Sequence, residues 1–361
     1  MSNIEHSPFS HAELPVTPTG DTLDFVLDDS PHVSIQTPLE DKVSSADVQL
    51  VHRSTKKRVL LALSAGLLVV GAILGTTIYA SQSTPILDVT VGAAGDIAIG
   101  ACYDTYESNT PGKTDAHFKR MQERFAGVRT FTLGGARNPI DVAAENNLSI
   151  YAGVWVKGNS SGLADMQAAL DGARRHPQAI KAIMVGNEEL QDQTNTEDQL
   201  IAKVRQMKQM LKAGGVTNVK VGSVQTDGSW LWARKLAAEC DVVGVNIYPF
   251  FGGSPVSISN PIQDLAYRYN NITDRYGKGK VVLTETGWPT SGPAFHGHVP
   301  SFEAAKKYLN DVVQWVKQGN GGDMPTYFMF HDNLNKEPAY EKAFGVAYAN
   351  ATWKFDFRTT G

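Results

Sequence analysis

Two glutamates in this 361-residue chain stand at the ends of apolar runs, in settings that suit proton transfer. The run MVGNEEL supplies Asn187 and Glu188, and VVLTETGWPTSG supplies Glu285 followed by Gly287, Trp288 and Pro289. Other runs end in polar or aromatic residues: Tyr103 and Asp104 in GACYDTY, Asn246 and Tyr248 in NIYPFF, Phe330 and Asp332 in FMFHDN; Arg129 lies within VRTFTL. A carboxylic acid that protonates a leaving oxygen, with a second carboxylate at the electrophilic carbon, suits cleavage of a glycosidic acetal. Aromatic faces would cover the apolar C–H edges of sugar rings. A lone glutamate at a strand end more often caps the next helix or pairs with a base. Two of them, one beside Asn and one beside Gly-Trp-Pro, favour catalysis.

Positioning these residues requires elements whose ends share one face. Eight β-branched or apolar runs recur, at 97–103, 127–133, 149–156, 179–188, 218–225, 241–249, 280–288 and 326–332. Most are nearly continuous, as strands buried on both faces should be. Amphipathic stretches such as 114–125, 164–175, 197–213 and 302–318 separate them. Eight β-then-α units predict an α/β fold, a (β/α)8 TIM barrel, whose chemistry sits at the C-terminal strand ends. A doubly wound open sheet is the alternative, but no G-x-G-x-x-G or P-loop follows a strand.

VGNEE and LTETGWPTSG are similar to the two signatures of glycoside hydrolase family 17, the β-1,3-glucanases of plants and fungi. The resemblance runs from about 97 to 355 and includes IGACY, VRTF, YAGVWV, VVGVNIYPFF and FMFHDN…YEKAFGV. It implies a (β/α)8 barrel with Glu188 as general acid/base and Glu285 as nucleophile. It also implies substrate contacts from Asn187, which would hold a sugar 2-hydroxyl, from Arg129 near the nucleophile, and from Tyr248. Tyr103, Trp288 and Phe330 are further candidates for sugar binding. The stretch His331-Asp332-Asn333 with Lys336 departs from the family pattern after strand eight. Glu189 beside Glu188 leaves a choice; the resemblance implies the residue directly after Asn187, and adjacent strand residues point to opposite faces.

Composition bounds the rest. Net charge is −4, so nucleic acid is not an expected partner. Two cysteines exclude a disulfide scaffold and a Cys-based zinc site. Cys102 falls near the top of strand one and Cys240 just before strand six. A bridge needs Cα atoms within about 7 Å, so two free, buried thiols are expected. His296 and His298 lack an evident third ligand, and neither metal nor cofactor is expected. Trp155 is a core or mouth residue; Trp230 and Trp232 read as helix-packing residues, with a rim position open to them in the Ser-Trp-Leu-Trp setting after strand five.

The N-terminal part differs in kind. Residues 1–50 carry nine acids and one base, and 1–58 reads as a disordered cytosolic tail. Arg53, Lys56, Lys57 and Arg58 precede 22 uncharged residues, 59–80. Such a run is about 33 Å of helix, enough to cross a membrane once. A signal peptide would be shorter and nearer the N-terminus. The basic cluster places the tail inside and the remainder outside, a single-pass type II signal-anchor at the plasma membrane. A short stalk, 81–95, would lead to the catalytic domain, 96–361. The part after the span holds 28 basic and 28 acidic residues and four N-x-Ser/Thr sequons, at Asn147, Asn159, Asn271 and Asn350. The expected function is a retaining endo-β-1,3-glucan hydrolase of the cell wall. A β-1,3-glucan transglycosylase using the same residues, or a non-catalytic wall-glucan sensor, are the alternatives.

Overall fold

The computed structural model describes residues 99–359, except 106, 107 and 159. The acidic tail, the 59–80 span and the stalk lie outside the described residues. Among those described, no helix is long and apolar enough to cross a membrane.

All eight expected strands are present: β1 (Gly100–Tyr103), β2 (Gly127–Thr130), β3 (Ser149–Val154), β4 (Ile180–Asn187), β5 (Val221–Thr226), β6 (Val242–Asn246), β7 (Val281–Glu285) and β8 (Thr326–Tyr327). They form one parallel sheet in the order β7-β6-β5-β4-β3-β2-β1-β8. β7 and β8 stand at the ends of that order. They are joined by Phe328 N donating to Thr286 O at 2.8 Å and Thr326 Oγ1 donating to Thr284 O at 2.5 Å. The sheet is therefore a near-closed barrel, not an open doubly wound one. Its interior is filled, not hollow: Tyr151, Ala182, Met184, Val224, Val242, Val282 and Met324 form a separate buried cluster.

The main helices between the strands are α1 (Lys113–Met121), α2 (Pro139–Glu145), α3 (Leu163–Arg175), α4 (Glu197–Ala213), α5 (Arg234–Glu239), α6 (Pro261–Tyr276) and α7 (Phe302–Lys317). α4 shows why they form. Thr196 and Gln199 make a reciprocal capping box at its start. Leu200, Ile201, Val204, Met207 and Leu211 then recur every three to four residues and are buried. Each such side chain contributes about 1.5–3 kcal/mol on burial.

The eighth unit differs from expectation. β8 spans Thr326–Tyr327 only, and a 3-10 turn, Ala339–Ala343, follows it among the described residues. Residues past Tyr327 still bond to the barrel, Phe330 N to Cys102 O at 2.9 Å, without a regular ladder. Irregular chain up to Thr359 packs there instead of a helix, anchored by Lys354 Nζ on Asp332 at 2.7 Å. Cys102 and Cys240 are both free and buried, as expected.

Candidate active site

The polar residues that end β2, β4, β6 and β7 meet at the C-terminal face. Glu285 closes β7 and is fully buried. It accepts from Arg129 Nη1, from Asn246 Nδ2 at 2.8 Å and from Tyr248 Oη at 2.6 Å. Three donors thus converge on one carboxyl group. Arg129 also donates through Nη2 to Asn187 Oδ1 at 2.8 Å. Burial and Glu285 together lift the Tyr248 hydroxyl well above the ordinary tyrosine range.

Glu188 lies across from it. Its Oε1 accepts from Asn246 Nδ2 at 2.8 Å. The same nitrogen thus touches one oxygen of each glutamate at 2.8 Å, so these oxygens lie no farther apart than twice that distance. Such a close pair is what a retaining glycosidase requires, whose carboxyls stand about 5–5.5 Å apart. Thr284 Oγ1 donates to Asn246 Oδ1 at 2.8 Å and so aims the amide NH2 between the two acids. Glu188 is held well above the ordinary carboxylate range, first by burial and second by the charge of Glu285. The pair is split in character: one glutamate is surrounded by donors, and the other favours its proton.

Local backbone explains how Asn187 and Glu188 serve one site. Regular alternation would send them to opposite faces. Glu188 has φ +66° and Gly186 φ +86°, both left-handed, and alternation breaks there. Asn246 Nδ2 accordingly reaches Asn187 Oδ1 at 3.2 Å as well as Glu188. Glu189 is turned back beneath the strand end, accepting from Asn187 N at 2.7 Å and Gln225 Nε2 at 3.1 Å. A Cβ on residue 186 would stand 2.5 Å from Glu189 Oε2, so glycine is required for space as well as for φ.

Two groups in this site carry unused capacity. Asn187 Nδ2 and Arg129 Nε are buried without hydrogen-bond partners. A sugar hydroxyl beside them would satisfy such donors.

Three candidate residues do not reach the site. Tyr103 is fully buried, bonded through its hydroxyl to His117 Nδ1 at 3.1 Å and edge-on to Phe118. Phe330 is fully buried among Tyr103, His117 and Trp353. Trp288 packs against Phe250 and Tyr308, with Nε1 on Val299 O at 3.1 Å. All three are buried among other aromatic rings and pack as core residues. Trp230 packs as expected, its Nε1 on Gly244 O at 2.7 Å, whereas Trp232 is exposed.

A model of the BtgE/BtgC glycoside hydrolase domain matches residues 100–346. The chain belongs to that family. Its domain is glycoside hydrolase family 17-like, and its homologues include glucan endo-1,3-β-glucosidases. One, glucan endo-1,3-β-glucosidase B of Solanum lycopersicum, is 28% identical over 72% of this chain and 86% of its own length. A probable β-glucosidase of Aspergillus clavatus is 29% identical over 57% of this chain, which spans only 35% of that relative. The crystal structure of a family 17 β-1,3-glucanosyltransferase from Rhizomucor miehei superposes with a TM-score of 0.60 at 24% identity. That match covers 71% of this chain and 95% of the other, and it shows the shared barrel fold.

Two further residues of this region escape a reading of the sequence. Asn246 is visible as a strand end, but only the fold reveals that it bridges both glutamates. Glu341, in the 3-10 turn after β8, is buried with neither carboxylate oxygen hydrogen-bonded. Burial pushes its carboxyl up to about 7, with Lys336 opposing and Glu285 adding to the rise. Lys336 is buried too, its Nζ 4.8 Å above the Phe328 ring and 3.7 Å from Asp104. An acid inside the apolar stretch AYEKAFGVA is the one signal that could have found Glu341.

Proposed function

We propose that the chain is a retaining β-1,3-glucan-cleaving enzyme that works through a covalent glycosyl-enzyme intermediate. Glu188 gives its proton to the glycosidic oxygen as the C1–O bond breaks. A carboxylate oxygen of Glu285 bonds to C1, forming an ester. Glu188, now a carboxylate, takes a proton from an incoming hydroxyl. That oxygen bonds to C1 and the Glu285 ester breaks. Asn187 and Arg129 hold the sugar and the nucleophile, and Tyr248 keeps Glu285 aimed.

The observation that carries this reading is the single Asn246 amide shared between two buried glutamates, one ringed by donors and the other favouring its proton. Membership in a glycoside hydrolase family and the names of its relatives supply the substrate class. The incoming hydroxyl is water in a hydrolase and a sugar in a transferase. The likeness to a glucanosyltransferase fold gives the second outcome a place beside the first. We further propose that the 59–80 segment anchors the enzyme in the plasma membrane with this domain outside, facing wall glucan.

The test is to incubate the full chain with a linear β-1,3-gluco-oligosaccharide and chromatograph products over time, beside Glu188→Gln and Glu285→Gln. Shorter products alone, absent from both variants, indicate hydrolysis. Products longer than the substrate indicate transfer. Unchanged substrate with folded wild-type protein overturns the β-1,3-glucan reading.

A further inference from the structure

Lys157, in the loop after β3, and Asp192, in the loop after β4, form an ion pair. Asp192 follows Glu188 by one turn, its N donating to Glu188 O at 3.0 Å. Only 14% of the Lys157 side chain and 10% of that of Asp192 are exposed, and Asp192 Oδ2 is fully covered. Lys157 Nζ also lies 5.7 Å over the Trp155 ring.

Withdrawing both charges from water is costly, and a well-packed apolar pair would hold the loops equally well. The loops are already tied by Gly158 N donating to Asn195 Oδ1 at 3.2 Å. Their charge therefore calls for another use. It is felt at Glu188 with opposite signs: Asp192 disfavours the carboxylate there and Lys157 favours it. The other groups facing Glu188 are Glu285 from β7, itself bonded to Arg129 of β2, and Tyr248 after β6.

We propose that Lys157 and Asp192 are positioning residues for Glu188, an ion pair, its acid one turn along the chain, that fixes how readily the Glu188 carboxyl gives up and regains the proton. The inference rests on the acid/base role proposed for Glu188. The balance matters because that role needs a proton donor in the first half-reaction and an acceptor in the second. Too strong a positive field at Glu188 would leave it ionised before cleavage. Too strong a negative one would leave it protonated when the incoming hydroxyl must be activated.

The test reads the proton on Glu188 directly. The full chain, labelled with glutamate carrying 13C at the side-chain carboxyl, is titrated by NMR, and the Glu188 signal is assigned by its loss in Glu188→Gln. Asp192→Asn removes the negative neighbour and should lower the Glu188 midpoint by about half a pH unit or more. Lys157→Met removes the positive one and should raise it by a similar amount. Lys157→Arg should leave it in place, and the double variant should return it towards wild type. On β-1,3-gluco-oligosaccharide, the alkaline limb of kcat/KM should follow each midpoint. Single variants that shift the midpoint the same way, or not at all, overturn the proposal. If the wild type fails to cleave the glucan, the substrate reading is lost, while the NMR midpoints still decide whether the ion pair governs Glu188.

Discussion

The acid role proposed for Glu188 requires a proton when substrate arrives, and its burial beside Glu285 favours the protonated form. A raised acid keeps its proton as pH climbs, so cleavage should persist well above the ordinary carboxylate range and fall as pH passes the folded midpoint. Asn246 opposes that rise by donating to the Glu188 carboxylate. Asn246→Ala should therefore push the alkaline limb of kcat/KM upward. It should also cut kcat about 100-fold, the scale of losing one aimed donor at a reacting centre. Steady-state pH profiles of both proteins check the two effects together. Glu341 gives a prediction of stability. Its folded midpoint of about 7 exceeds the unfolded reference of 4.5, so the folded state holds more protons between these values. Stability from this group thus declines as pH rises from about 4.5 to about 7 and is flat above. Glu341→Gln should remove a decline on the order of 3 kcal/mol, read from urea midpoints of wild type and variant at pH 5 and pH 8. The polar candidates were legible in the sequence because parallel barrel strands all end at one face. Arg129 and Glu285 needed only their strand positions, whereas Asn187 and Glu188 share the site through a left-handed kink that strand alternation does not foresee. The aromatic candidates were not so readable. A Tyr, Trp or Phe at a strand end fills the layer under the mouth as readily as it lines the mouth, and no pattern in GACY, TGWP or FMFH separates the two.

The elements place these residues through a few local departures from regular structure. Seven of the eight strand runs are each followed by a helix, and their apolar runs stand out. The run at 326–332 has the same composition but loses its ladder after Tyr327, where irregular chain takes the place of a helix. Nothing in its hydrophobicity marks that change of partner. The kink at 186–188 was equally hidden, because left-handed Glu188 has no sequence signature. Gly186→Ala tests how much that kink matters. The substitution adds a left-handed Cβ and drives it into the Glu189 carboxylate. Gly215 has φ +78° with nothing within 4 Å of where a Cβ would stand, so Gly215→Ala carries the backbone penalty alone. Gly215→Ala should cost about 1 kcal/mol in urea unfolding, and Gly186→Ala at least about 2 kcal/mol with a loss of kcat. Equal costs would mean that Glu189 yields freely and does not brace the strand end.

At the scale of the whole molecule, the membrane anchoring proposed for 59–80 can be tested through a chemical reporter on the barrel's surface. Asn147, Asn271 and Asn350 are all exposed. Their settings differ in a way that bears on modification. At Asn350 the side-chain Oδ1 accepts from Thr352 N at 3.0 Å, and Thr352 is exposed, so the whole sequon is presented as a surface turn. On α6 the hydroxyl of Thr273 is turned inward to Asn270 O at 3.1 Å, and Thr273 is 3% exposed, so the folded Asn271 sequon hides its threonine. Glycan transfer at Asn271 thus requires the helix to be unformed, whereas Asn350 is accessible in either state. If the 59–80 segment is a signal-anchor with the barrel outside, the full chain made in a secretory eukaryotic cell should lose mobility-shifting glycan on treatment with an N-glycosidase. Asn350→Gln should remove one glycan's worth of that shift, and Asn271→Gln should remove less because its occupancy is lower. An enzyme that cleaves glucan yet carries no glycan at any of these positions would place the barrel on the cytosolic side, opposite to where a wall polymer lies.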